Sequence, residues 1–375
     1  MIALRKSSKN PLDTEKVSNQ VRKSLRVLFP DSNSAGDFDV ILCKTGLLIA
    51  PRIGSSVAIT SDFYYKILSV LEVALWPTLQ LQHPLAMQLQ GLQDRDWNRS
   101  RAFFYPFLIG SSQRLITAEI EEINYAKRTG NFKLMSNISI PLNKHLIICG
   151  QTGSGKSYLL RQFLSVFNSI GSVVLIDPKV SDCARWAKNH PSVELIQPVL
   201  SAGANGSSVN SDLLDNVNDK LDSLETIMYK RQESLLQQKK ISADYRSLNM
   251  KPIFVVIDEV SSLTIGAGRQ AKSDFWDHLT RLALLAREAG IVLVLALQQA
   301  RSDVLPTTVR AQMNVKILLG AIDKDNSQYL FPNLSEVPFL PISGHGTGIM
   351  SVAGSQRYLG ILPLATPTLK EGRNY

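Results

Sequence analysis

The chain has 375 residues, of which 44% are apolar and 19% charged. This composition is globular, excludes a largely disordered polypeptide, and allows two domains with room for a third small one. The net charge is +9, and three cysteines, Cys43, Cys149 and Cys183, lie far apart with no CxxC pair; that spacing excludes a disulfide framework and a cysteine zinc site and fits a reducing, cytoplasmic compartment.

The positive excess is uneven. Within residues 1–30, Arg5, Lys6, Lys9, Lys16, Arg22, Lys23 and Arg26 stand against Asp13 and Glu15. The segment reads as a helical lead-in ending at Pro30, either a solvated mobile end or a steering patch for nucleic acid or anionic lipid. A polar turn is expected over Asp31–Gly36. Residues 37–60 alternate around glycines and predict a few short strands. Residues 62–90 read as helical with a break at Pro77, and residues 97–140 as mixed, with Asn131–Ile140 alternating like one strand. The apolar stretch Phe63–Leu81 is interrupted by Lys66, Glu72 and Pro77, and Val40–Ile59 by Lys44, Pro51, Arg52 and Gly54. Neither offers the roughly 20 apolar residues of a spanning helix, so no integral membrane segment is expected. The basic start has no adjoining apolar run, which argues against a secretory signal. Residues 1–140 are therefore expected to form a smaller mixed α+β domain.

The pattern changes near Pro141. Apolar runs at His145–Cys149, Ser172–Ile176, Val193–Ile196, Ile253–Ile257, Ile291–Leu297 and Val315–Leu319 alternate with helical segments. Strands apolar on both faces belong to a mainly parallel sheet with helices on both sides, so residues 141–375 are expected to form one α/β domain. Between Gly206 and Pro252 there is no glycine or proline, and Leu214, Val217, Leu221, Leu224, Met228, Arg231 and Leu235 follow three-four spacing. This predicts a helix over 208–241, about 50 Å long, its stripe packed on its own sheet or forming a seam with a neighbouring subunit.

Residues Gly150, Gln151, Thr152, Gly153, Ser154, Gly155, Lys156 and Ser157 read G-x-x-x-x-G-K-S. Glycines let the backbone wrap a phosphate, the following helix adds its positive end, Lys156 reaches the outer phosphates of ATP, and the Ser157 hydroxyl ligates Mg²⁺. An apolar strand and an apolar-periodic helix, Tyr158–Phe167, flank the loop. Farther on, Ile253–Ile257 ends in Asp258 and Glu259. In P-loop enzymes the first carboxylate holds Mg²⁺ through water, and an adjacent second one orients the attacking water. Asp258 is thus assigned to the metal and Glu259 to water activation. Gln298, ending the next strand, is the candidate γ-phosphate sensor. Arg287, at a helix end, is either a residue favoured by the helix dipole or an arginine serving a neighbouring subunit's nucleotide.

His145–Ser157 resembles the FtsK/SpoIIIE family of DNA-translocating ATPases. Ile176–Lys179 is similar to that family's I-D-P-K, Glu225–Arg231 to its E-M-x-x-R-Y, Leu282–Ile291 to its L-A-x-x-x-R-A-x-G-I, and Ala296–Leu305 to its A-T-Q-R-P-x-x-D-V-I, with Gln299-Ala300 in place of Arg-Pro. Thr307–Gly320 resembles a segment of the smaller members encoded on plasmids and conjugative elements. The resemblance implies a RecA-like motor, a hexameric ring with nucleotide sites between subunits, and DNA as the partner, with a relaxase or replication initiator as a further one. It also implies an N-terminal domain that recruits a partner or positions the ring; as departures from the chromosome-segregating members, no membrane anchor and no C-terminal winged-helix domain are expected. The leading expectation is an ATP-dependent DNA translocase in transfer or maintenance of a mobile element. Its alternatives are an ATP-gated recruitment module coupling DNA and relaxase, and a small-molecule P-loop kinase, against which stands the lack of an arginine-rich lid.

Overall fold

The structure is a computed structural model. It describes residues 12–28, 38–51, 59–93, 95, 100–199, 206–238, 242–299, 301, 304–332, 334, 338–341 and 343–370. The turn expected over Asp31–Gly36 and the first part of the basic lead-in lie outside these residues.

The chain forms two compact units. The first comprises Met1–Gln113, Asn333–Pro341 and Ser351–Pro363. It holds helix α1 (Thr14–Leu25), strands β1 (Phe38–Leu42) and β2 (Gly46–Pro51), helix α2 (Ser61–Ala74), and strands β3 (Leu79–Leu81), β4 (Leu89–Gly91) and β5 (Arg101–Ile109). The Asp13 carboxylate caps α1 by accepting from the Lys16 N–H, and the Thr60 hydroxyl accepts from the Phe63 N–H at the start of α2. The sheet runs β1-β2-β5-β3, with β4 also on β5, and each of these pairings is antiparallel. Val17, Val21 and Leu25 of α1 and Tyr64, Leu68 and Leu71 of α2 share a core with Phe103 and Tyr105 of β5. The late segments complete the unit: His83 and Ile361 exchange backbone hydrogen bonds, and the Gln82 amide donates to the Arg357 carbonyl while accepting from the Leu359 N–H.

Two readings of this region change. Helix α2 stops at Ala74, and residues beyond Pro77 form β3 and β4 rather than more helix, because Leu79, Gln80 and Leu81 register against Ile109, Leu108 and Phe107 of β5. Strand β5 was not anticipated: Pro106 within it argues against a strand, yet the proline needs no N–H there and its carbonyl accepts from the Gln82 N–H.

The second unit comprises Arg114–Pro332, Ile342–Met350 and Leu364–Tyr375. Its elements are β6 (Ile116–Thr117), α3 (Glu119–Thr129), β7 (Asn131–Lys133), β8 (Ser139–Pro141), β9 (Leu146–Gly150), α4 (Lys156–Ile170), β10 (Ser172–Ile176), α5 (Asp182–Lys188), β11 (Val193–Ile196), α6 (Gly206–Leu236), β12 (Ile253–Asp258), α7 (Val260–Thr264), α8 (Arg269–Leu285), β13 (Ile291–Leu297), α9 (Thr307–Gln312), β14 (Val315–Leu319), α10 (Lys324–Leu330), β15 (Thr347–Val352), β16 (Leu362–Ala365) and β17 (Thr368–Leu369). The sheet order is β11-β10-β12-β13-β9-β14-β15-β16. Pairings from β11 through β14 are parallel, and every residue of β12 and β13 is buried. The fold class is the expected α/β.

The expected boundary at residue 140 differs from the division of the chain at Gln113 and Arg114. Packing explains the shift. Phe132 of β7 lies 4.4 Å, centroid to centroid, from Phe163 of α4, which stacks on Phe167, which stacks on Phe254 of β12 at 4.0 Å. Residues 131–140 are not one strand but a hairpin of β7 and β8, since the chain reverses at Met135–Ile138. Helix α6 ends at Leu236 rather than residue 241; its stripe is buried from Leu214 to Met228, and α6 packs on α8 of its own unit. The break in that stripe is explained as well: the Arg231 guanidinium donates to the Ala289 carbonyl at 2.8 Å. Among the described residues no helix is long and apolar enough to cross a membrane.

Glu122 of α3 is buried and its Oε1 makes no hydrogen bond. Burial, and then the neighbouring Glu119 charge, push its carboxyl up to about 8. The folded chain thus holds a proton that the unfolded chain loses above pH 4.5, so this group's contribution to stability falls as pH rises from there to about 8. Glu122→Gln should raise the urea midpoint at pH 8, have little effect near pH 4, and flatten the pH dependence between them.

Candidate nucleotide site

Strand β9 lies between β13 and β14 in the sheet and runs straight into the loop 151–155 and helix α4. Gly155, at φ +93°, starts α4 in a conformation that side-chain-bearing residues avoid. A Cβ there would sit 3.0 Å from the Gly346 Cα, so two backbones pass without side chains between them. The loop is held from behind by the segment around Gly346: the Gly346 N–H donates to the Ser154 carbonyl, and Arg114 donates to the carbonyls of His345 and Thr366. The first turn of α4 has neither a side-chain cap nor an acidic residue, which leaves it suited to an anion.

Lys156 is buried and its Nζ lies 3.2 Å from Asp258 Oδ1 and 3.8 Å from Glu259 Oε2. The two carboxylates end β12 with only 4% and 2% exposure. Such burial is tolerable only with partners, and each oxygen has one. Asp258 Oδ2 faces the Ser181 hydroxyl at 3.0 Å. That hydroxyl also lies 2.6 Å from Asp177 Oδ2, so one proton serves two carboxylates. Glu259 Oε1 accepts from the Ser261 hydroxyl at 2.6 Å and the Gln298 N–H at 3.2 Å, and Oε2 lies 3.2 Å from Lys179 Nζ. Burial alone would raise the Glu259 pKa, but the Ser261 hydrogen bond, the charges of Lys156 and Lys179 and the Gln298 N–H together hold it below the usual carboxylate range. Its backbone stands at φ +69°, unusual for glutamate. Nearby Cys183 is inert: burial, with the charges of Asp258 and Asp177, pushes its thiol up to about 12.

The structure brings Lys156, Asp258, Glu259 and Gln298 together. The Gln298 carbonyl accepts from the Cys149 thiol, placing it beside the end of β9. Arg287 is elsewhere. It is exposed just before β13, at the opposite end of that strand from Gln298, about 20 Å away at the rise of a strand. There burial, with the Arg287 charge second, holds His145 down to about 4. The Glu225–Arg231 motif is also remote from the carboxylates in role: buried Glu225 accepts from His278 and Arg281 of α8 and ties α6 to it.

Sequence reasoning missed Lys179, Ser181, Ser261 and the Gly346 segment as site residues. The signals were the Asp-Pro-Lys after β10, the serines flanking each strand end, and the run Gly344-His-Gly-Thr-Gly348. Mg²⁺ fits the donor set. Asp258 Oδ1 already faces a cation, the Lys156 ammonium, and needs another once that ammonium turns to phosphate. The Ser157 hydroxyl, on the first turn of α4, would be the second donor.

The model of the AAA domain family matches residues 142–305. Over these residues, less than half of the chain, the protein is similar to AAA domains. It is similar to the FtsK domain-containing protein YdcQ of Bacillus subtilis, 24% identical over 251 residues, covering 66% of this chain and 48% of that protein. It is also similar to the DNA translocase FtsK of Tropheryma whipplei, 27% identical over 232 residues, covering 57% of this chain and 30% of that one. The family resemblance read from short motifs is thus matched by alignments over more than half of the chain. The chain spans about half or less of the length of these relatives. Among solved structures, the pCW3 conjugation coupling protein TcpA, in its monomer form with ATPγS, aligns with a TM-score of 0.49 at 16% identity, covering 94% of this chain and 95% of that one.

Removing Lys156 leaves two buried carboxylates short of a cation. Lys156→Ala should lower the unfolding free energy by roughly 3 kcal/mol and abolish stabilisation by ATP in thermal melts. Adding Asp258→Asn should recover the melting temperature but not the ATP response.

Proposed function

We propose that the chain is an ATP-dependent DNA translocase that hydrolyses Mg-ATP to move DNA in transfer or maintenance of a plasmid or conjugative element. The observation that carries the hydrolytic part is the buried pair Asp258 and Glu259 facing Lys156 at the end of β12. A triphosphate seated on the loop 150–157 draws the Lys156 ammonium to its outer phosphates. Asp258 and Ser157 would hold Mg²⁺, which would supply charge neutralisation at the phosphates. Glu259, already ionised and fixed at both oxygens, orients the attacking water and accepts its proton. Gln298, whose N–H holds Glu259, senses the γ-phosphate.

DNA as the substrate rests on similarity to DNA translocase FtsK over more than half of the chain, and a net charge of +9 suits contacts to a phosphate backbone. Arg287 is exposed and far along β13 from its own chain's carboxylates, a location suited to completing a neighbour's site in a ring. The deciding experiment measures ATP turnover without DNA, with single-stranded DNA and with duplex DNA. Turnover stimulated by DNA and sensitive to salt supports a motor; turnover indifferent to DNA at every salt concentration refutes it.

Glu259→Gln should bind ATP with near wild-type affinity, while turnover falls by about a hundredfold or more, leaving an ATP-loaded protein detectable after gel filtration. Arg287→Ala should also bind ATP without hydrolysing it, and mixing it with Lys156→Ala subunits should restore part of the activity. Mixed assemblies that form but stay inactive would assign Arg287 to its own chain's helix end.

A further inference from the structure

Lys179 has no part in the mechanism above, yet it makes the closest cationic contact of Glu259 Oε2, at 3.2 Å against 3.8 Å for Lys156. The two cations differ in what they do next. Lys156 belongs to the phosphates once ATP is bound. Lys179, at the end of the neighbouring strand β10, stays. Oε1 keeps the Ser261 hydroxyl and the Gln298 N–H, so it is Oε2 that is left to face a water: Lys156, at 3.8 Å, is only an ion pair there, and Lys179 makes the hydrogen bond that fixes its position.

The turn that carries Lys179 is built for such fixing. Asp177, fully buried, accepts from the Lys179 N–H at 3.0 Å, the Ser181 N–H at 2.9 Å, the Ser181 hydroxyl at 2.6 Å and the Ala184 N–H at 3.1 Å. Between Lys179 and Ser181 stands Val180 at φ +53°, a left-handed conformation that a β-branched residue adopts only when its surroundings over-determine it. The residues on either side reach the two carboxylates: Lys179 reaches Glu259, and Ser181 reaches Asp258. The turn also caps α5, through the Ser181 hydroxyl and the Cys183 N–H, but stability does not explain the lysine. The Lys179 side chain is 42% exposed, and an ion pair that open to water contributes little to folding, whereas the strained turn costs something.

We infer that Lys179 is a positioning residue for water activation: it holds Glu259 Oε2 in place after Lys156 has been recruited by the nucleotide. The inference rests on the ATPase reading. In the purified full-length chain, Lys179→Met should lower kcat by about tenfold to a hundredfold while affinity for a fluorescent ATP analogue and the melting temperature stay at wild-type values. Lys179→Arg should recover most of the kcat, and Lys179→Met should cost nothing more in a Glu259→Gln background, because the two act through one carboxylate. A wild-type kcat in Lys179→Met overturns the inference. So does a loss of analogue affinity that matches the loss of kcat, which makes Lys179 a phosphate ligand, or a lowered melting temperature without rescue by arginine, which makes it structural. If wild-type protein binds the analogue but hydrolyses no ATP with or without DNA, the ATPase reading itself fails, an outcome seen before any substitution is made.

Discussion

Two carboxylates side by side in a nearly water-free place repel each other and miss their hydration, so Asp258 and Glu259 dictate what surrounds them. The sheet order β10-β12-β13-β9 puts four parallel strands in contact, and their C-terminal ends release loops at one edge. Each loop delivers a partner. From β9 comes Lys156, from β10 come Lys179 and Ser181, from the turn after β12 comes Ser261, and from the end of β13 comes the Gln298 N–H. No single segment of sequence could satisfy both carboxylates; the crossovers of a parallel sheet can.

The contact between Lys156 and Asp258 also prefigures the exchange that catalysis requires. A cation is in place before any nucleotide arrives, so binding substitutes one set of charges for another rather than exposing bare carboxylates. The strain at Glu259 and Val180 falls on the two residues that frame this exchange, where precise side-chain placement matters more than backbone comfort.

The site was legible where its chemistry is local. Loop 150–157 is a contiguous pattern, and β12 announces itself as an apolar run ending in acids. Lys179 and Ser181 were not legible as site residues because their roles appear only when the ends of β10 and β12 come together. Gly346 likewise reaches the loop from almost two hundred residues away in sequence. The central strands β9, β12 and β13 were readable because burial on both faces makes them almost uniformly apolar. Strand β5 was hidden by Pro106, and β15 and β16 by the glycines and prolines around them. The division at Gln113 rather than residue 140 depends on the aromatic contact of Phe132 with Phe163 of α4, which no local pattern reports.

The first unit borrows Asn333–Pro341 and Ser351–Pro363 from beyond the ATPase core. Gln82 and His83 find their partners at Arg357, Leu359 and Ile361, as many as 278 residues later. On a ribosome, which delivers the chain in the N-to-C direction, residues 1–113 of this unit precede the nucleotide-binding core, and the unit is completed only after it. Its strands must wait through the synthesis of the whole nucleotide-binding core with their late partners still missing. Such long-range closure slows folding and prolongs the time in which this unit is open to misassembly.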